Sequence, residues 1–177
     1  MVQQNKVSTG SYDLNKWLNG GYEKDVITTL YGGPGTGKSN LCLIAAVSQA
    51  KKGNKVIFID TEGGFSIDRI TQLVGKDEDV NEVLKNIIIM KPTNFHEQFV
   101  DFGKLLKEIN KQKFDNKIGL IIIDSMTILY RLELADSKED KEKVREINGV
   151  LARQMKILAE ISRKKQIPII LTNQVYS

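Results

Sequence analysis

Val26-Ile27-Thr28-Thr29-Leu30-Tyr31-Gly32-Gly33-Pro34-Gly35-Thr36-Gly37-Lys38-Ser39 runs from an apolar, β-branched segment into a glycine-rich turn that ends on a lysine and a hydroxyl. Residues 32–39 fit the spacing G-x-x-x-x-G-K-[ST], and a helical pattern begins near Asn40. Strand, glycine loop and helix in that order make an anion cradle. The glycines let successive backbone N–H groups curl around a polyphosphate, while the helix turns its positive end toward the same anion. Gly32, Gly33, Pro34, Gly35, Thr36 and Gly37 form the candidate cradle. Lys38 has the reach for β- and γ-phosphates, and Ser39 offers a hydroxyl to Mg2+. The expected ligand is a nucleoside triphosphate with Mg2+.

The 177 residues, 41% of them hydrophobic, suffice for one α/β domain with a substantial core, so residues 1–177 are read as a single domain. The net charge of +4 and pI near 9.0 are compatible with an anionic partner but weak as an argument for nucleic acid. Cys42 is the only cysteine and His96 the only histidine, which excludes an intrachain disulfide and a Cys/His zinc cluster. Cys42 reads as a packed apolar residue in the helix behind the loop, and His96 as part of a helix start. Residues 1–8 are polar and no later run is long enough to cross a bilayer, so a soluble, cytoplasmic protein without a membrane partner is expected.

Apolar runs at residues 26–31, 56–59, 87–90, 118–123 and 168–171 read as buried strands. Helical spacing separates them at residues 41–50, 66–73, 80–84, 95–109 and 144–165, and a short helix at 12–18 carries Leu14, Trp17 and Leu18 on one side. Unbroken apolar strands alternating with helices indicate a mostly parallel, doubly wound α/β sheet flanked by helices, with its ligand at the carboxyl ends of the strands. Residues 131–146 are dense in both charge signs and read as an exposed loop leading into the long helix.

Hydrolysis of a γ-phosphate needs a metal clamp, an oriented water and stabilisation of charge on the transferred group. Leu120-Ile121-Ile122-Ile123-Asp124 is a hydrophobic strand ending in a carboxylate, so Asp124 is the candidate partner of Mg2+. Glu62, just past the strand Val56-Ile57-Phe58-Ile59 and followed by Gly63-Gly64, is the candidate general base. Asp60 is the rival carboxylate, but a residue still on the strand is better placed to brace backbone. Ile169-Ile170-Leu171-Thr172-Asn173-Gln174 ends in polar amides where a γ-phosphate would lie, which makes Gln174 a candidate sensor of bound nucleotide.

The ordered set Ser8-Thr9-Gly10, Gly20-Gly21, YGGPGTGKSN, FIDTEGGFSIDRI, LIIIDSMTILYRLEL and ILTNQVYS resembles the core of the RecA/RadA recombinase family over nearly the whole chain. The resemblance implies a RecA-like sheet with the Gln174 strand between the phosphate-loop strand and the Asp124 strand. It matches Glu62 to the catalytic glutamate, Asp124 to the metal-side aspartate and Gln174 to the nucleotide-sensing glutamine. Arg69 matches an arginine that packs on the adenine, and the stretch from Arg131 occupies the place of the first DNA-contacting loop. It further implies a weak, DNA-dependent ATPase in recombination and repair, with single-stranded DNA favoured, a RadA-type main recombinase as partner and a junction nuclease as a further candidate partner.

Departures from the family pattern set further expectations. No phenylalanine occurs in residues 1–6 to dock into a neighbouring subunit, so self-assembly into a filament is not expected and a dimer stays open. The family's second DNA loop would begin after Ser177, so the chain is read as stopping short of it. Two alternatives share the phosphate loop: a KaiC-like signalling ATPase or autokinase, and a non-hydrolysing switch that uses nucleotide to fix a partner-binding shape. Asp68-Arg69 and the Thr-Asn-Gln-Val ending pull toward the recombinase branch.

Overall fold

The computed structural model describes residues 5–110 and 118–175. Their elements run β1 (Lys6–Val7), α1 (Tyr12–Trp17), β2 (Tyr22–Glu23), β3 (Ile27–Gly32), α2 (Lys38–Ala50), β4 (Lys55–Asp60), α3 (Ile67–Val74), α4 (Val80–Leu84), β5 (Ile87–Met90), α5 (Phe95–Asn110), β6 (Ile118–Asp124), α6 (Ile128–Asp136), α7 (Lys141–Lys165) and β7 (Ile169–Gln174). The central sheet has the order β3-β7-β6-β4-β5, and every pairing in it is parallel. β7 therefore lies between the glycine-loop strand and the strand ending in Asp124, the arrangement implied by the resemblance.

Because alternate strand residues face opposite sides, the aliphatic runs supply two cores at once. Val56, Phe58, Leu120, Ile122 and Ile170 pack on one face with Cys42, Ala45 and Ala46 of α2 and Ile70 of α3. Ile57, Ile59, Ile121, Ile123, Ile169 and Leu171 pack on the other with Phe102 and Leu105 of α5 and Leu158 and Ile161 of α7. All seven residues of β6 are buried, which is why that strand reads as an unbroken apolar run, whereas the edge strands β3 and β5 are only partly covered. Each fully buried large aliphatic side chain contributes roughly 1.5–3 kcal/mol of transfer free energy, so the central strands anchor the fold.

Two expectations need correction, and one element was not foreseen. Residues 131–146 are not a loop: α6 fills most of their first half and α7 starts at Lys141, three residues earlier than expected. The helix is held by residues just ahead of the charge-dense stretch: Leu129 packs against Phe95 and Ile147, and the Tyr130 ring stands edge-on to Phe95 at 5.7 Å. Asp140 starts α7 by accepting from the N–H groups of Glu142 and Lys143, both at 3.0 Å. Trp17 does not share a face with Leu14 and Leu18, which pack on the core while Trp17 is 80% exposed. The antiparallel pair β1–β2 has no counterpart in the sequence reading, because two-residue strands are too short to show a period. It closes over Gly21 at φ +125°, where a Cβ would sit 2.0 Å from the Val7 carbonyl oxygen.

Candidate nucleotide site

The loop after β3 passes into α2 through Gly37 in the left-handed region (φ +87°), with Gly35 also left-handed (φ +74°). Glycine holds this conformation at little cost, and here it aims the first N–H groups of α2 back into the loop. Helices α1, α3, α4 and α7 are each capped by a side chain, from Ser11, Ser66, Asp79 and Asp140 respectively. α2 has no side-chain cap and no acidic residue in its first turn, so its positive end stays open to an anion. The Lys38 ammonium donates to the carbonyl oxygens of Gly32 at 3.1 Å and Gly33 at 2.7 Å, and the Thr36 hydroxyl donates to Gly33 O at 2.9 Å.

A cleft of about 390 Å³ opens at the carboxyl ends of the strands. Residues 34–40 and Leu43 line one side, and Glu62, Gly64, Ser66, Arg69, Asp124 and Gln174 the other. Four separate segments thus bring the sequence candidates together. Gly32 and Gly33 are not on its wall and serve through the carbonyls that hold Lys38.

Asp124, at the end of β6, is 3% exposed. Its Oδ1 accepts a hydrogen bond from the Thr172 hydroxyl of β7, while Oδ2 is buried with no hydrogen-bond partner. A Cβ on Gly64 would lie 3.6 Å from both Asp124 Oδ2 and Ser39 Oγ, so these three groups border one small volume. An orphaned carboxylate oxygen beside a hydroxyl fits a hard cation that takes oxygen ligands. Among the described residues no group of three His, Cys, Asp or Glu side chains is placed to hold a metal. A cation at Ser39 and Asp124 therefore needs ligands from elsewhere, as Mg2+ takes from phosphates and water.

The loop after β4 is braced by backbone contacts. The Asp60 carboxylate accepts from the N–H groups of Gly64 at 2.9 Å and Phe65 at 3.1 Å, the bracing expected of a carboxylate still on its strand. Thr61 Oγ1 donates to Ser125 O and accepts from Ser125 N, both at 2.8 Å, which ties the loop to the residue after Asp124. Glu62 projects from this braced segment, and Gln174 Nε2 donates to its Oε2 at 2.6 Å. The Gln174 carbonyl accepts from Arg131 of α6 at 2.9 Å. Arg69 of α3 donates from Nε to Asn40 Oδ1 at 2.9 Å and from Nη1 to Gln72 Oε1 at 2.8 Å.

The sequence reading missed Thr172, Asn40 and Thr61, and took Gly64 only as room beside Glu62. Thr172 left a usable signal: it is a polar β-branched residue ending an aliphatic strand, one step beyond the Ile123–Leu171 pair and so level with Asp124. Asn40 left none, because its role depends on where α3 lands. Behind the loop Cys42 is fully buried, and its thiol is pushed well above the ordinary range by burial first and by the nearby Asp124 charge second. The Tyr22 hydroxyl, buried without a partner, is likewise raised to about 12 by burial and then by Cys42.

Parallel strand order, glycine loop and strand-end carboxylates define a P-loop α/β domain of the RecA-like class. The Rad51 family profile matches residues 2–177. The chain is 45% identical over 162 residues to DNA repair and recombination protein RadB of Methanococcus maripaludis, covering 92% of this chain and 69% of that relative. It is 41% identical over 172 residues to RadB of Methanobrevibacter smithii (97% and 68% covered) and 38% identical over 178 residues to RadB of Methanoculleus marisnigri (99% and 73% covered). The chain belongs to the Rad51 family. No helix among the described residues is long and apolar enough to cross a membrane.

Proposed function

We propose that this chain is a single RecA-like ATPase core domain that binds ATP with Mg2+, hydrolyses it slowly, and works with DNA in recombination and repair as an accessory to a main recombinase. The observation that carries this reading is the convergence of Lys38, Ser39, Glu62, Asp124 and Gln174 on one cleft at the strand ends. The relatives described as DNA repair and recombination proteins supply the biological context.

The loop N–H groups and the α2 N-terminus cradle the β-phosphate, and the Lys38 ammonium exchanges the carbonyls of Gly32 and Gly33 for phosphate oxygens. Bound Mg2+ would neutralise developing phosphate charge, held by the Ser39 hydroxyl and, through Oδ2 or its water shell, by Asp124. Glu62 orients the attacking water and takes its proton, a role worth roughly 10²- to 10⁴-fold in rate. Gln174, in contact with Glu62 and placed at the cleft, links occupancy by the γ-phosphate to β7. Arg69, held flat by Asn40 and Gln72, offers its guanidinium face to the adenine.

Slow turnover is part of the proposal. Lys38 and Arg69 are the cations on the cleft wall, and Arg69 is committed to Asn40 and Gln72. A cation contributed by another molecule, worth roughly 10³- to 10⁵-fold in related chemistry, would have to complete the site. Steady-state ATP hydrolysis with and without single-stranded DNA, with Lys38→Ala as the blank, tests the reading. Slow turnover accelerated by DNA supports it. Nucleotide binding with no turnover above the blank replaces it with a nucleotide-dependent switch.

A further inference from the structure

We infer that Thr172 is a positioning residue for the metal: it selects which oxygen of Asp124 faces the cation. The inference rests on the proposed reading of Asp124 as a metal group. Rotation of a carboxylate about its last bond is soft, so its two oxygens interchange unless a donor fixes one of them. Here the Thr172 hydroxyl donates to Oδ1, and both residues are almost wholly buried. Oδ2 is left without a hydrogen-bond partner, buried, and bordering the volume shared by Ser39 Oγ and Gly64. One oxygen is held by the protein and the other is kept for the cation.

The placement follows from strand geometry. β6 and β7 are in parallel register through Ile123–Leu171, so the next residues, Asp124 and Thr172, stand side by side. Thr172 and Gln174 are two apart on β7 and so share a face, the face turned toward the cleft. One strand thus touches both carboxylates of the site, Asp124 through residue 172 and Glu62 through residue 174. Asn173 points the other way and accepts from the Thr127 hydroxyl at 3.2 Å.

The test measures Mn2+ affinity of the protein–ADP complex from the free-ion electron paramagnetic resonance signal, together with metal-free ADP affinity. Thr172→Val should weaken Mn2+ binding by about 10- to 100-fold, the usual cost of losing a partner that orients a metal-binding carboxylate. Thr172→Ser, which keeps the donor, should stay near the parent value, and metal-free ADP affinity should be unchanged in both. Should the valine variant fail to fold, Thr172→Ala removes the same hydroxyl. Wild-type Mn2+ affinity in Thr172→Val with a loss in Asp124→Asn overturns the positioning role and leaves Asp124 as the metal group. Wild-type affinity in both variants overturns the metal reading with it.

Discussion

The amide of Gln174 donates to the carboxylate of Glu62 at 2.6 Å, joining the end of β7 to the loop after β4 across 112 residues of chain. The two side chains meet because β7 and β4 both flank β6, so their carboxyl ends open onto one cleft. If Glu62 is the base, Glu62→Gln keeps the shape and removes the proton acceptor. Turnover should fall by roughly 10²- to 10⁴-fold while ATP affinity stays within a few-fold. Single-turnover hydrolysis and equilibrium nucleotide titration check this, and an active Glu62→Gln enzyme would move the role to another carboxylate.

Gly64 separates steric from metal effects. It adopts no left-handed backbone, and a methyl group there would meet only ordinary contacts, 3.6 Å from Asp124 Oδ2 and Ser39 Oγ. Gly64→Ala should therefore leave the melting temperature nearly unchanged. It should weaken ATP binding in Mg2+ but not in a chelator, because the added methyl intrudes where a cation would sit.

Arg69 and Asn40 allow the adenine contact to be apportioned. A guanidinium over an aromatic ring gives roughly 0.5–2 kcal/mol, about 2- to 30-fold in affinity. Arg69→Ala should raise the dissociation constant for ATP by that range, and Asn40→Ala, which only frees the Nε hydrogen bond, by less. Equal affinity for ATP and for inorganic triphosphate in the parent protein would show that no adenine contact exists.

What the sequence disclosed and what it withheld divide along physical lines. The inner strands β4 and β6 are apolar because both their faces are covered, and β5, although an edge strand, is a run of four aliphatic residues, so all three fall within a residue of their expected bounds. Glu62, Asp124 and Gln174 could be picked out as candidates because each stands at or just beyond a strand end, whereas Arg69, within α3, was offered only by the family resemblance. Helix α6 was not legible, since Arg131 and Asp136 are exposed and only Leu129 is buried. Thr61, Thr172 and Asn40 act through contacts with residues 64, 48 and 29 positions away, which no local pattern encodes.

Cys42 and Tyr22 set the alkaline limit of the fold. Both have raised values when folded, so the stability they contribute is complete below their ordinary values of 9.0 and 10.0 and is lost as pH rises above them. Between pH 9 and 10 the unfolded thiol ionises while the folded one does not, and stability should drop by up to about 1.4 kcal/mol per pH unit. Above pH 10 Tyr22 adds to the slope. Urea melts from pH 8 to 10.5 should show this decline, and Cys42→Ala should flatten its first part. The native thiol should stay silent toward a disulfide reagent at pH 8 and react on unfolding.

Gln98 and Gln154 test whether a half-satisfied buried network is worth its polarity. Gln98 Nε2 donates to Gln154 Oε1 at 2.6 Å and to the Met126 carbonyl at 3.3 Å, two residues past Asp124. Gln98 Oε1 and Gln154 Nε2 are both buried without a partner. Replacing only Gln154 with methionine leaves Gln98 Nε2 with the Met126 carbonyl alone and one of its two buried N–H groups unpaired, which should cost about 1–3 kcal/mol. Replacing both with methionine removes the orphans together, leaving the Met126 carbonyl as the sole loss, so the double variant should be less destabilised than the sum of the single ones. Additive losses in urea melts would mean that packing around α5 and α7, and not hydrogen bonding, sets the cost.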